Sequence, residues 1–183
     1  MEHGPDTAKI VAMVAKATEE KASTLWVMDM NLTSLPILPT TLVNLHVFNT
    51  PITKIHRLPK NLAKLELYNT RLETLPRLPH LTSLSVRNSP LKVLPKLPWG
   101  LKYLNVNGTN LLFLPELPPW LTNLACSKAP LVIPRKKYWS RVKRYNYVWD
   151  NWRYKIQSNS GKTPEELLRT VYGREILTTT PPY

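Results

Sequence analysis

The sequence predicts an α/β solenoid, with a parallel β-sheet on the concave face, an extended, polyproline-like convex side and helical caps at both ends. Three observations predict it. A leucine pattern recurs every 19 or 20 residues, prolines recur at fixed places within it, and the flanking segments have helical spacing. The chain has 18 prolines but only 5 glycines, a balance that indicates fixed proline positions and argues against a flexible linker.

The repeats occupy residues 25–134 in about six units of 19–20 residues. A partial unit enters at Leu25, and the shared pattern is L-x-x-L-x-V-x-N-T-x-L-x-x-L-P-x-L-P. Five further units open, at spacings of 20, 19, 20 and 20, with Leu42, Leu62, Leu81, Leu101 and Leu121.

Each unit is expected to contain one short strand, because its apolar residues alternate with period two. Stacked units then bury two columns in a continuous core. One column holds Leu25, Leu45, Leu65, Leu84, Leu104 and Leu124, and the next holds Val27, Val47, Leu67, Val86, Val106 and Cys126. A hydroxyl after the strand, at Thr50, Thr70, Ser89 and Thr109, is expected to bond backbone groups at the turn. Two prolines in L-P-x-L-P exclude an α-helix from the return segment.

This unit resembles the leucine-rich repeats of bacterial type III secreted effectors, and similar proline-rich repeats occur in proteins of large DNA viruses. The resemblance covers roughly residues 25–134 and implies a leucine-rich repeat fold without naming a partner. Effector-type members often carry a C-terminal ubiquitin-ligase domain with a nucleophilic cysteine. That domain is too large for the 49 residues after Pro134, and the single cysteine, Cys126, falls in a core-facing column. We therefore expect no ligase activity.

Both flanks are expected to cap the solenoid. Residues 1–24 form the N-terminal cap, with a helix over 7–21 that Asp6 or Thr7 could start. Its core-facing positions are Ile10, Met13, Val14 and Ala17. Residues 135–183 are predicted to form a basic, aromatic-rich helical C-terminal cap or tail.

The outward strand positions are the first candidate binding surface, because solenoids usually bind on this face. The predicted partner-binding residues are Trp26, Met28, His46, Phe48, Tyr68, Arg87 and Tyr103. The aromatic members are typical of binding hot spots and lie on strands about 4.8 Å apart. The alternative is that the N-terminal helix or a neighbouring segment covers them.

A basic patch within residues 135–155 is the second candidate. It comprises Arg135, Lys136, Lys137, Arg141, Lys143, Arg144, Arg153 and Lys155, against Asp150 alone. Seven aromatic residues are interleaved with these charges. The mixture suits an acidic protein, nucleic acid or an anionic membrane surface. The alternative is a cap helix whose charges are merely solvated.

The residue pattern carries no signature of catalysis. The histidines His3, His46, His56 and His80 lack ligand-like spacing, and one cysteine excludes a cysteine-based zinc cluster. We predict no catalytic, cofactor-binding or metal-binding residues, and no cofactor.

The net charge of +13 favours acidic partners. No cleavable signal peptide is apparent, and no run of 18 apolar residues predicts a transmembrane span. We expect an intracellular (cytoplasmic) or virion protein. The predicted function is non-enzymatic protein–protein interaction by a structural or adaptor component of a larger assembly, for example a minor virion protein. The alternatives are an effector-like binder of a host protein, and a nucleic-acid-binding protein that uses residues 135–155.

Overall fold

The computed structural model of the chain describes residues 6–131, and in this range the predicted fold class is confirmed. One helix, α1 (Thr7–Glu19), precedes six short strands. The strands are β1 (Thr24–Met28), β2 (Asn44–Phe48), β3 (Lys64–Tyr68), β4 (Ser83–Arg87), β5 (Tyr103–Asn105) and β6 (Asn123–Ala125). All five neighbouring pairs are parallel, and the strand order in the sheet is the order in the chain. Each repeat therefore adds one strand to a growing stack.

The leucine column forms the ladder that the repeat predicts. Its members pair in register across every strand boundary and are each no more than 6% exposed: Leu25, Leu45, Leu65, Leu84, Leu104 and Leu124. In the adjacent column, Val106 is buried just after β5, and Cys126 packs partly buried against the core just after β6. One strand could not shield its own apolar side, so burial depends on the next repeat.

The return segments have no helix, as their prolines require. Within one of them Leu75 and Leu78 are buried, while Arg77 between them is exposed. In most units the second proline's carbonyl accepts a hydrogen bond from the leucine three residues later, as from Leu62 N to Pro59 O at 3.2 Å. The one 19-residue unit turns a residue sooner, with Leu81 N donating to Pro79 O at 2.8 Å. The turn of this unit is thus one residue shorter, and the strand register is unchanged.

Three of the four hydroxyls, those of Thr50, Ser89 and Thr109, bond the backbone where the strands end, as predicted, whereas the Thr70 hydroxyl bonds the Ser89 hydroxyl at 2.9 Å. Thr50 Oγ1 donates to Phe48 O at 2.9 Å, and Thr109 Oγ1 donates to Val106 O at 2.8 Å. Both hydroxyl residues are buried. Phe48 O also accepts a bond from Asp29 N at 3.1 Å, so the Thr50 hydroxyl adds a second bond to a carbonyl that is already paired with the neighbouring repeat.

The residue before each hydroxyl, and its equivalent before Met30 and Ala129 in the first and last repeats, has a left-handed backbone, a role that the sequence pattern does not reveal. The φ values lie between 50° and 67° at Asp29, Asn49, Asn69, Asn88, Gly108 and Lys128. Asparagine and glycine tolerate this region best, which explains the asparagine of the repeat. Asn69 Nδ2 donates to Asn49 Oδ1 at 3.2 Å, and Asn49 Nδ2 donates to Asp29 Oδ1 at 2.9 Å. These side-chain hydrogen bonds link equivalent residues of successive repeats outside the core.

Helix α1 covers the first repeat through the positions that its spacing predicts. Ile10 and Ala17 are buried, and Met13 and Val14 pack partly buried against the core. The helix ends when Lys21 adopts a φ of 51° and Ala22 N bonds to Ala17 O at 2.9 Å. The left-handed residue terminates the helical path.

The start of α1 differs from the expected side-chain cap. Asp6 is the N-cap residue, but its side chain makes no capping bond to the helix. Instead, Asp6 Oδ2 accepts a hydrogen bond from the backbone nitrogen of Asn31 at 2.7 Å. The carboxylate therefore ties the helix start to the first turn of the solenoid. The predicted C-terminal cap, 135–183, lies outside the described residues.

Candidate functional site

The strand face is the sheet surface that carries the outward-pointing side chains of the six strands. Alternation along each strand and register between strands arrange these side chains in three rows. Trp26 and Met28, on β1, are 49% and 50% exposed. Helix α1 therefore does not cover them, which contradicts that alternative for these two residues.

Four rings on the first three strands form an aromatic cluster: Trp26, His46, Phe48 and Tyr68. The Trp26 and His46 rings stack with 3.8 Å between centroids and 7° between planes. Phe48 lies within 16° of parallel to both, 5.9 Å from Trp26 and 6.2 Å from His46. Tyr68 follows at 6.2 Å from Phe48 with a tilt of 47°. The predicted proximity of Trp26, Phe48 and Tyr68 is confirmed.

His46 does not present its side chain to a partner, so the expectation that it faces solvent is wrong. Its exposure is 4%, since the indole of Trp26 lies over the imidazole. Ser85 and Asn105, in the same middle row, are also buried. Trp26 is the register partner of His46 on the adjacent strand, so the two rings stack within the same row. His46 thus supports one face of the Trp26 ring.

Glu66 connects His46 to Lys64 in a small polar network. Glu66 Oε2 lies 2.8 Å from His46 Nδ1, and Oε1 lies 3.0 Å from Lys64 Nζ. Burial of Glu66 favours its neutral form, but the hydrogen bonds from Lys64 and His46 outweigh this and hold its pKa below the ordinary 4.5. Both carboxylate oxygens have partners inside the chain.

Arg87 places a positive charge at the edge of the aromatic cluster, next to Tyr68. Its Cζ lies 5.1 Å from the centroid of the Tyr68 ring, a cation–π contact. The side chain is exposed, and within residues 6–131 it has no ion pair with a carboxylate. Among the described residues the charge of Arg87 is therefore uncompensated.

The later strands carry a polar surface without stacked rings. Tyr103, on β5, is 37% exposed and lies two strands from Tyr68. Its hydroxyl accepts a hydrogen bond from Asn105 Nδ2 at 3.1 Å. The surrounding outward positions are small or amide-bearing: Ser83, Asn107, Asn123 and Ser127. The structure thus groups six of the predicted residues around the cluster and sets Tyr103 apart.

Comparison with solved structures agrees with the fold described above. The leucine-rich repeat domain of a Shigella effector matches with 31% sequence identity and a TM-score of 0.69, over 73% of this chain and 62% of that one. The chain is a leucine-rich repeat solenoid. Two further solved structures also match this chain. One is YopM from Yersinia enterocolitica, and the other is YopM from Yersinia pestis, which is described as a leucine-rich effector protein.

The YopM proteins are less similar. The identities are 25% and 22%, with TM-scores of 0.44 and 0.53. These matches cover 72% and 70% of the present chain, but only 39% and 49% of the two YopM chains. The protein thus spans less than two thirds of each of the three solved chains. No family model and no curated protein matches it.

Three further possibilities were a metal site, a membrane span and the basic patch. Within residues 6–131 of the leucine-rich repeat protein, no group of three or more His, Cys, Asp or Glu could hold a metal ion. Over the same range, no helix combines the length and apolar character needed to cross a bilayer. The predicted basic patch lies wholly within 135–155, outside the described residues. The strand face is therefore the candidate site that the structure describes.

Proposed function

We propose that this leucine-rich repeat protein binds other proteins through its strand face and has no enzymatic activity. The observation that carries the proposal is the aromatic cluster, where Trp26 and Met28 are half exposed on an ordered sheet. Exposed aromatic and long apolar side chains that cluster in this way are typical of binding hot spots.

The packing of the cluster supports binding further. Trp26 rests on buried His46, and the imidazole is in turn hydrogen bonded to Glu66. A side chain held in this way has little rotamer freedom left to lose when a partner binds. Preorganisation of this kind strengthens an interface without adding contact area.

The biological role that we propose is that of a structural or adaptor component of a larger assembly, such as a minor virion protein. The charge of +13 supports acidic neighbours in such an assembly. A second candidate is an effector-like binder of a host protein. That role is favoured by the likeness to the Shigella effector domain, at 31% identity.

Site-specific photo-crosslinking in cells tests this proposal. Benzoylphenylalanine replaces Met28 on the strand face in one variant and Trp99, which is 74% exposed off the strand face, in the control. We expect protein adducts from position 28 that disappear when Trp26→Ser and Phe48→Ser are added. The identity of the adduct, a protein of the same particle or a host protein, separates the two roles. Equal adducts from both positions, or none from position 28, would contradict binding at the strand face.

A further inference from the structure

We propose that the strand face selects a partner segment in which an apolar side chain and a carboxylate project from the same side, about 13 Å apart. The apolar group would sit on Trp26, Met28 and Phe48, and the carboxylate would pair with Arg87. This inference rests on the proposed protein-binding function and specifies the chemistry of the partner.

The apolar requirement follows from the first two strands. Met28 and Phe48 are register partners, and the Trp26 ring stacks with that of Phe48 at 5.9 Å. Half of the Trp26 and Met28 side chains is accessible, so an aliphatic group placed there removes apolar surface of both molecules from water. The edges of aromatic rings are also weakly positive, which favours approach by carbonyl or carboxylate oxygens.

The charge requirement follows from a count of the ionised residues on the strand face. In its three rows these are Lys64, Glu66 and Arg87. Lys64 and Glu66 form an ion pair at 3.0 Å, so their charges cancel locally. Among residues 6–131, Arg87 has no carboxylate partner, so its positive charge is uncompensated there. An acidic group on the partner therefore has one defined place to bind, and a basic group is repelled there.

Two of the ring faces on which a nucleobase could stack are already occupied by contacts within the protein. A nucleobase binds an aromatic side chain through its flat face. His46 already lies against one face of Trp26 at 3.8 Å, and the guanidinium of Arg87 lies over Tyr68 at 5.1 Å. Base stacking on these faces would have to displace contacts within the protein, whereas aliphatic contact with the ring edges would not.

The spacing requirement follows from strand register. Met28, Phe48, Tyr68 and Arg87 occupy the same position on four consecutive strands. At about 4.8 Å per strand, the first and last are about 14 Å apart. In an extended segment, residues i and i+4 point to the same side and lie about 13 Å apart. The best match is therefore an apolar residue followed by Asp or Glu four positions along.

Fluorescence anisotropy with defined peptides tests the inference on the full chain. The probe is a labelled nonapeptide of Ser and Thr with Leu at positions 3 and 5 and Glu at position 7. One control moves Glu next to the first Leu, and another replaces Glu with Lys. We expect the probe to bind up to about fivefold more tightly than either control, the upper end for an exposed ion pair. The preference should shrink in high salt because exposed charges are screened.

Matched arginine variants locate the acidic contact. Arg87→Gln should abolish the preference for Glu, whereas Arg71→Gln should keep it, because Arg71 is exposed but lies off the strand face. If the peptides bind without regard to charge or spacing and Trp26→Ser removes binding, the inference is overturned and the proposed protein binding stands. If no peptide binds, or if labelled oligouridylate binds better and loses affinity in both Arg87→Gln and Trp26→Ser, the inference is overturned. Absence of crosslinks from position 28 would then remove the proposed function as well.

Discussion

The indole of Trp26 lies flat on the imidazole of His46, with 3.8 Å between ring centroids and 7° between planes. One residue is half exposed and the other is 4% exposed. Trp26 therefore exposes apolar surface and at the same time covers the imidazole that is hydrogen bonded to Glu66. A polar contact shielded in this way is stronger than the same contact in water.

Removal of the Trp26 ring should destabilise the fold as well as weaken binding. We expect Trp26→Ala to lower the free energy of unfolding by about 1–2 kcal/mol, from lost stacking and lost buried area. Trp99→Ala is the matched control, because Trp99 is 74% exposed, and it should change stability by less than about 0.5 kcal/mol. Urea unfolding followed by circular dichroism measures both. Equal losses in the two variants would show that the stack contributes nothing specific.

Acid should remove the stabilising contribution of Glu66. Hydrogen bonds from Lys64 and His46 hold the pKa of this carboxyl below 4.5, although burial acts in the opposite direction. A group whose pKa is lowered on folding stabilises the fold while ionised, and that stabilisation is lost as the pH falls through the folded pKa. Because Glu66 is partly exposed, we expect an effect below about 1 kcal/mol.

The Glu66→Gln variant isolates this effect. Wild type should be more stable than Glu66→Gln at pH 7, and the gap should close between about pH 5 and about pH 3. Glu116→Gln is the control, because Glu116 is exposed and has no ion pair among residues 6–131. Unfolding free energies across the pH series provide the measurement. A gap between wild type and Glu66→Gln that stays constant with pH would contradict the assigned role of the carboxylate.

Two substitutions at Asn49 should separate backbone strain from side-chain hydrogen bonding. Asn49 has a φ of 50°, and its amide bonds to Asp29 and Asn69. Asn49→Gly loses those bonds but tolerates the left-handed backbone, whereas Asn49→Ala loses the bonds and also strains the turn. We expect Ala to be less stable than Gly by about 1 kcal/mol. If Gly proved equal to or worse than Ala in urea unfolding, left-handed strain would not explain this column.

The glycine in the same column should also be required. Gly108 has a φ of 67°, and an added Cβ would lie 2.5 Å from Asn88 Oδ1. The Asn88 amide can rotate aside, so the left-handed backbone carries most of the cost, and we expect Gly108→Ala to lower the unfolding free energy by about 1–2 kcal/mol. Gly100→Ala is the control, because its Cβ would meet no atom within 4 Å, and it should be neutral or slightly stabilising. A thermal melt of the two variants decides the matter, and a neutral Gly108→Ala would refute the steric argument.

The amino-acid sequence alone determined the repeat, its core columns and the closeness of Trp26, Phe48 and Tyr68. These features were predictable because neighbours in a solenoid are one period apart in the chain, so the spacing of 19 or 20 residues directly pairs them. Repetition also strengthens each column, since six copies must agree. The helix over the first repeat followed from ordinary helical spacing.

Only the tertiary structure decided which outward positions are accessible. Alternation along a strand predicts the side of the sheet on which a residue lies, but it does not predict what neighbouring side chains cover. His46 is buried because the large ring of Trp26, one strand away, lies over it, and Asp6 binds Asn31 because packing of α1 brings the two together. The left-handed asparagine column was visible as a recurring letter, but its cause lies in the backbone path of the turn. Burial and turn geometry arise from side-chain size and chain path in three dimensions, and neither has a period that the sequence displays.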